Sequence, residues 1–146
     1  MCEAEKKTYD EKKLFPPILA VDFDGTLVKN EFPSIGEPDY VISGVVRAYQ
    51  EMGWKVILWT CRTDDMLQDA VNFCKETLGI EFDAVNDNLP EVIQYFGGST
   101  RKVFANMYLD DRSAALYVNG INKPSELAPV PLIIGEGTIL VEEHGV

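Results

Sequence analysis

Histidine, cysteine and basic residues are scarce in this 146-residue sequence, and each shortage excludes a class of function. The single histidine, His144, is third from the last position, so we expect no histidine-based triad and no multi-histidine metal site. Cys2, Cys61 and Cys74 are odd in number and lack CxxC spacing, which argues against a disulfide framework or a structural zinc site. Any catalysis must therefore use carboxylate, lysine, threonine or cysteine side chains.

The sequence also has few basic residues and no long apolar run. Against 24 acidic residues there are only 13 lysines and arginines, which gives a net charge of -11. Non-specific nucleic-acid binding is disfavoured, because it depends on basic residues that neutralise phosphates. No segment approaches the ~20 apolar residues of a membrane span, and residues 1–13 are too charged for the apolar region of a signal peptide. We therefore expect a cytoplasmic protein without membrane or nucleic-acid partners.

The length fits one domain, and its pattern is that of an α/β protein. Residues 1–14 are polar and lysine-rich, which predicts a flexible extension before a single domain over residues 15–146. Short apolar runs alternate with stretches of helical spacing, a pattern typical of a parallel sheet with right-handed crossovers. The predicted strands are residues 18–22, 55–60, 82–85 and 107–109, and the predicted helices are residues 41–52, 64–78 and 90–96. Beyond the weaker run at residues 116–118, residues 132–134 and 138–141 predict a hairpin in a C-terminal tail.

Polar side chains end three of the predicted strands: Asp22 with Asp24, Thr60, and Asp110 with Asp111. The carboxyl ends of parallel strands meet at one edge of a sheet, which is where ligands bind in open α/β folds. Four carboxylates there would repel one another unless a cation lay between them. All-oxygen ligands favour Mg²⁺, which commonly binds carboxylates, water and a substrate phosphate.

These residues resemble the motifs of the haloacid dehalogenase superfamily. The segment DFDGTL at residues 22–27 resembles its motif I, VILWT at residues 56–60 resembles motif II, and MYLDD at residues 107–111 resembles motif IV. The resemblance covers about residues 18–118 and implies a three-layer Rossmann-like fold around a parallel sheet.

The resemblance also implies a reaction. Asp22 would attack phosphorus to form an aspartyl-phosphate, and Asp24 would act first as general acid and then as general base. Mg²⁺ would be held by Asp22, the backbone carbonyl of Asp24 and Asp110, with Asp111 close by or acting through water. Thr60 would donate a hydrogen bond to a phosphoryl oxygen, and Thr26 would contact the substrate.

A motif III cation is also implied, and here the sequence departs from the usual pattern. Lys102 is the best match, but it precedes Asp110 by only eight residues, so the chain must turn near residues 105–106 to bring it to the carboxylates. Arg62 is the competitor, because it leaves the second strand at the correct edge and could bind a phosphate with its fork of donors. Asn86 and Asn88, after the third strand, are either turn residues or polar substrate contacts.

The gaps in which this superfamily carries cap domains are short. Only 13 residues separate Thr26 from Tyr40, and 13 separate Asn88 from Lys102, so we expect no cap, although residues 27–39 could form a small flap. The sequence predicts a Mg²⁺-dependent phosphatase acting on an unidentified phosphate monoester. A phosphotransferase and a non-catalytic, receiver-like phospho-acceptor are the alternatives, and a homo-oligomer is left open.

Overall fold

The computed structural model describes residues 9–114, 116–118 and 121–123. Its main sheet has four parallel strands, β1 (Ile18–Val21), β2 (Lys55–Leu58), β3 (Ala84–Val85) and β4 (Met107–Leu109). Their order in the sheet is β3-β2-β1-β4. Strands β1 and β2 end one and two residues earlier than predicted, β3 begins two residues later, and β4 has the predicted bounds. The protein therefore has the predicted α/β fold with a Rossmann-like layout.

Helices cover both faces of this sheet because alternate residues of β1 point to opposite sides. Leu19 and Val21 pack in one core cluster with Val46 of helix α2 (Tyr40–Glu51) and Ala70 of helix α3 (Asp64–Phe73). Ile18 and Ala20 pack in a second cluster with Val92 of helix α4 (Pro90–Phe96). All four side chains of β1 are buried, as expected for a central parallel strand.

The helix ends follow local sequence chemistry. Asp39 caps α2 by accepting hydrogen bonds from the backbone of Val41 and Ile42. Thr63 precedes α3 as predicted but makes no side-chain capping bond. The last part of the predicted second helix, Cys74–Leu78, is π-helical, and it ends at Gly79 in a left-handed conformation.

The flap, residues 27–39, is an ordered loop between β1 and α2. Leu27 and Val28 are buried in the core at its start. The backbone N–H of Lys29 donates to the carbonyl of Glu37 at 2.8 Å, and Asp39 donates to Leu27 at the same distance. These bonds close the loop into a compact hairpin-like segment.

Two parts of the predicted organisation differ in the structure. Residues 1–14 are predicted to form a flexible extension, but within them Glu11–Leu14 forms helix α1, and the amide of Asn106 donates to Glu11 at 2.8 Å. The predicted single domain over residues 15–146 separates into two compact units, residues 1–111 and 112–146. Within the second unit, strands β5 (Leu116–Val118) and β6 (Ile121–Lys123) form an antiparallel pair. The predicted hairpin at residues 132–141 lies outside the described residues.

Candidate active site

The predicted carboxylates meet where the strand order of the sheet reverses. Strand β1 pairs with β2 on one side and with β4 on the other. Asp22 follows β1, and Asp110 and Asp111 follow β4, so the three residues leave two neighbouring strands at their carboxyl ends. This position between diverging connections is the general ligand-binding crevice of open α/β sheets.

Asp22, Asp110 and Asp111 form one cluster: each offers a carboxylate oxygen, and these oxygens lie within 4.8 Å of one another. Burial of Asp22, followed by the negative charge of Asp110, raises the pKa of the Asp22 carboxyl from 3.8 to about 6. The donor set is all oxygen and suits a hard divalent cation such as Mg²⁺. The structure thus brings together three of the four predicted metal-binding residues by their side chains.

Thr26 ties this cluster together from the buried side. Its hydroxyl accepts a hydrogen bond from the backbone N–H of Asp111 at 3.0 Å and lies 3.2 Å from Oδ2 of Asp22, to which it donates. Thr26 was predicted to contact substrate, but its hydroxyl is occupied in joining the loops that follow β1 and β4. Its place in the structure is that of a positioning residue.

Gly25 allows Asp111 to approach the motif I loop. Its φ of +92° is unfavourable for other residues, and a Cβ at this position would collide with the Asp111 carboxylate. Two features therefore favour glycine at this position of the DFDGT segment: the backbone conformation of the turn and the close approach of Asp111, a candidate metal ligand.

The side chain of Asp24 pairs with Arg62 and is not one of the three carboxylates of the cluster. The guanidinium donates from Nε to Oδ2 of Asp24 at 2.7 Å and from Nη2 to Oδ1 at 2.8 Å. The hydrogen bonds to Asp24 raise the pKa of Arg62 above its ordinary value. The predicted metal contact of Asp24 runs through its backbone carbonyl and stays a prediction. Arg62 was predicted as a substrate contact. In the structure only 1% of its side chain is exposed, and its guanidinium forms an ion pair with Asp24.

Thr60 and Asn86 lie side by side at the ends of β2 and β3. The Thr60 hydroxyl accepts from the backbone N–H of Arg62 at 3.2 Å, and its own hydrogen can still be donated to a ligand. Asn86 accepts from the backbone N–H of Thr60 at 2.8 Å and donates to the carbonyl of Arg62 at 3.3 Å. Asn86 therefore holds the loop after β2, and its predicted substrate contact stays a prediction.

Asn88 and Lys102 lie on the side of the sheet that α4 covers. Asn88 is buried. Its side-chain nitrogen donates to the hydroxyls of Ser99 and Thr100, and its side-chain oxygen accepts from the backbone N–H of Phe104, so Asn88 stabilises this loop. The Lys102 ammonium lies 5.3 Å from the centre of the Tyr108 ring. Within residues 9–114 it forms no ion pair with a carboxylate, so the predicted contact with Asp22, Asp110 or Asp111 is not formed in this structure. The neighbouring Val103 is buried in the second core cluster, and that packing leaves Lys102 exposed.

Sequence reasoning anticipated a flap but missed how it is attached. Arg62 donates from Nη1 to the carbonyl of Pro33 at 3.2 Å and from Nη2 to the carbonyl of Ser34 at 3.0 Å. Backbone carbonyls carry no side-chain signal, so no residue type in the flap could have marked these contacts.

No helix in the described part of the chain has the length and apolar character to cross a membrane.

The chain is similar to the solved structure of a conserved protein from Bacteroides thetaiotaomicron. It is 36% identical to this chain with a TM-score of 0.59, and the match covers 66% of this chain and 76% of that protein. This chain belongs to the same family as that conserved protein. No protein-family model and no curated protein matches the chain.

Proposed function

We propose that the protein is a Mg²⁺-dependent phosphatase that hydrolyses a phosphate monoester through an aspartyl-phosphate on Asp22. The observation that carries the proposal is the cluster of Asp22, Asp110 and Asp111, whose oxygens lie within 4.8 Å of one another at the ends of β1 and β4. The DFDGT segment and the other two motifs, which resemble the haloacid dehalogenase superfamily, support the same reaction.

The residues of the cluster fit a divalent cation. Three neighbouring carboxylates repel one another, and the raised pKa of Asp22 reflects its burial together with this repulsion. Asp22, Asp110 and Asp111 would hold the ion. Bound Mg²⁺ would offset the repulsion between the nucleophilic carboxylate and the anionic phosphate that it attacks.

The chain's own residues supply the two displacements. A carboxylate oxygen of Asp22 attacks phosphorus, the bond to the leaving oxygen breaks, and Asp24 gives that oxygen a proton. A water then attacks the aspartyl-phosphate while Asp24 accepts its proton, which releases phosphate and restores Asp22. The carboxylate of Asp24 offers about four lone-pair positions, so the two bonds from Arg62 leave room for this proton. The Thr60 hydroxyl would donate to a phosphoryl oxygen.

Hydrolysis of a chromogenic aryl phosphate tests the proposal. With Mg²⁺, the wild-type protein is expected to release phosphate and Asp22→Asn to release none, although both are folded. Asp65→Asn is the matched control, because it removes an exposed carboxylate at the start of α3 and is expected to keep the wild-type rate. Equal turnover by wild type and Asp22→Asn would exclude the covalent mechanism.

The phosphotransferase and phospho-acceptor alternatives predict a different product. Each would leave phosphate on Asp22 until an acceptor removes it, so the phosphorylated chain would accumulate without free phosphate. Mass spectrometry of the intact protein after mixing with acetyl phosphate and Mg²⁺ distinguishes this outcome from turnover.

A further inference from the structure

Arg62 is a buried cation at the junction of three segments. Its side chain is 1% exposed, while that of its partner Asp24 is 16% exposed. A buried charge is stable only when it is paired and its hydrogen-bonding groups are satisfied. Asp24 supplies the charge partner through two short bonds, and the flap supplies two backbone carbonyls, those of Pro33 and Ser34.

Two aromatic rings complete the surroundings of the guanidinium. Its central carbon lies 5.1 Å from the ring centre of Phe23, in motif I, and 5.3 Å from that of Phe32, in the flap. Such contacts with aromatic faces are favourable for a desolvated guanidinium. The phenylalanine beside Asp22 and an exposed phenylalanine of the flap therefore both contact the same cation.

The donor count decides what Arg62 can still bind. A guanidinium has five N–H donors. One on Nε, one on Nη1 and two on Nη2 are used by Asp24, Pro33 and Ser34, which leaves one. A bidentate phosphate contact needs two donors, so it would require Arg62 to break a bond to Asp24 or to the flap.

We propose that Arg62 is a positioning residue that fixes the Asp24 carboxylate and pins the flap beside it, and that it does not bind the substrate phosphate. The catalytic part of this inference rests on the proposed phosphatase function. The flap part rests only on the contacts of Arg62. Because one guanidinium holds both, the orientation of Asp24 depends on the flap being in place.

Hydrogen exchange of the Lys29 backbone amide tests the flap part without any activity assay. This amide bonds to the carbonyl of Glu37 across the flap, whereas the Gly97 amide bonds to Ile93 at the end of α4. In Arg62→Lys, which keeps the charge and loses the fork, we expect at least tenfold faster exchange at Lys29 and no change at Gly97. Arg47→Lys is the matched control, since Arg47 donates to the carbonyl of Leu78 away from the flap. Unchanged exchange at Lys29 in folded Arg62→Lys would overturn the proposal.

Phe32 provides a second route that leaves the buried pair intact. The residue is 53% exposed, so Phe32→Ala removes an aromatic contact of the guanidinium without opening the core. Faster exchange at Lys29 is expected in Phe32→Ala and wild-type exchange in Phe32→Tyr, which keeps a ring. Equal exchange in the two variants would contradict the role assigned to this contact.

Steady-state kinetics with the aryl phosphate test the catalytic part. A positioning residue for Asp24 predicts that Arg62→Lys lowers kcat, by about 10²-fold if the carboxylate moves by about 1 Å, and leaves KM within about twofold. A phosphate ligand predicts the reverse, with KM raised and kcat kept, and that result would overturn the proposal. If wild type shows no turnover, the proposed function fails and the Lys29 exchange still decides whether Arg62 holds the flap.

Discussion

Asp22 combines burial with two neighbouring negative charges, and this sets its chemistry. Thr26 donates to its carboxylate, but burial and the charge of Asp110 are the larger influences and raise its pKa to about 6. A partly buried carboxylate whose pKa is raised by burial and by neighbouring charge is a good candidate for a cation ligand or a nucleophile.

The first residue-scale prediction concerns pH and Asp22. Between pH 3.8 and about 6, the folded metal-free protein keeps a proton on Asp22 that the unfolded chain has released. The folded state binds more protons in this window, so its free energy of unfolding falls as pH rises. We expect Asp22→Asn to lack this fall and to be more stable than wild type at pH 7. Thermal scans in EDTA from pH 4 to 7 measure the difference, and parallel curves for the two proteins would contradict it.

The second residue-scale prediction uses two glycines with similar backbones. Gly25 and Gly53 have φ of +92° and +95°, but a Cβ meets the Asp111 carboxylate at Gly25 and nothing within 4 Å at Gly53. Both alanine variants carry the backbone penalty, about 1–2 kcal/mol for a left-handed conformation. Only Gly25→Ala is expected to displace Asp111 and reduce the Mg²⁺-dependent rise in melting temperature. Equal Mg²⁺ shifts in the two variants would show that Asp111 is not needed for metal binding.

At the scale of elements, the loops after the strands are held by side chains from neighbouring loops. Thr26 joins the loop after β1 to that after β4, and Asn86 joins the loop after β3 to that after β2. Each crosslink lies at the carboxyl edge of the sheet. The site is therefore built on loops that cannot move independently.

Removal of the Asn86 amide tests this crosslinking. Asn86→Ala loses two part-buried hydrogen bonds to backbone, which predicts a destabilisation of about 1–3 kcal/mol and a lower kcat, because the loop carrying Thr60 and Arg62 loosens. Gln50→Ala removes a more exposed amide that donates to the carbonyl of Glu81, and we expect a change within about 0.5 kcal/mol. Urea unfolding of both variants measures this, and equal losses would contradict the role of Asn86.

At the scale of the whole molecule, negative charge works against the proposed substrate. The net charge of -11 repels an anionic phosphate, and three carboxylates gather at the site itself. A bound divalent cation would relieve both effects, since it would neutralise the cluster and attract the phosphate. Stability and substrate binding are thus expected to depend on the same ion.

Thermal scans with and without Mg²⁺ test this dependence. A ligand that binds only the folded state, at a concentration of about 100 times its dissociation constant, raises the free energy of unfolding by roughly 2.7 kcal/mol. We expect Mg²⁺ to raise the melting temperature of wild type and of Asp65→Asn, and to raise that of Asp110→Asn less. The same Mg²⁺ shift in Asp110→Asn as in wild type would remove Asp110 from the proposed ligand set.

Short-range patterns determined the framework of this protein. The apolar runs before Asp22 and Asp110 form β1 and β4, and Pro90–Phe96 is helical as predicted, because burial and helix-end chemistry act within a few residues. The parallel arrangement then brings Asp22, Asp110 and Asp111 to one edge, so the carboxylate cluster follows from local pattern and sheet geometry together. The π-helical turn at Cys74–Leu78 was not predicted, since its residues fit an α-helix equally well.

Only the tertiary structure decided the partners of the polar side chains. Arg62 has the same sequence signal as a phosphate ligand, and its pairing with Asp24 spans 38 positions that no spacing rule connects. Lys102 lies against the Tyr108 ring and forms no ion pair with a carboxylate of residues 9–114, and Thr26 and Asn86 bond to backbone groups of other loops. A local pattern records which side chains reach the sheet edge, whereas their hydrogen-bond partners depend on segments that become neighbours only when the sheet has formed.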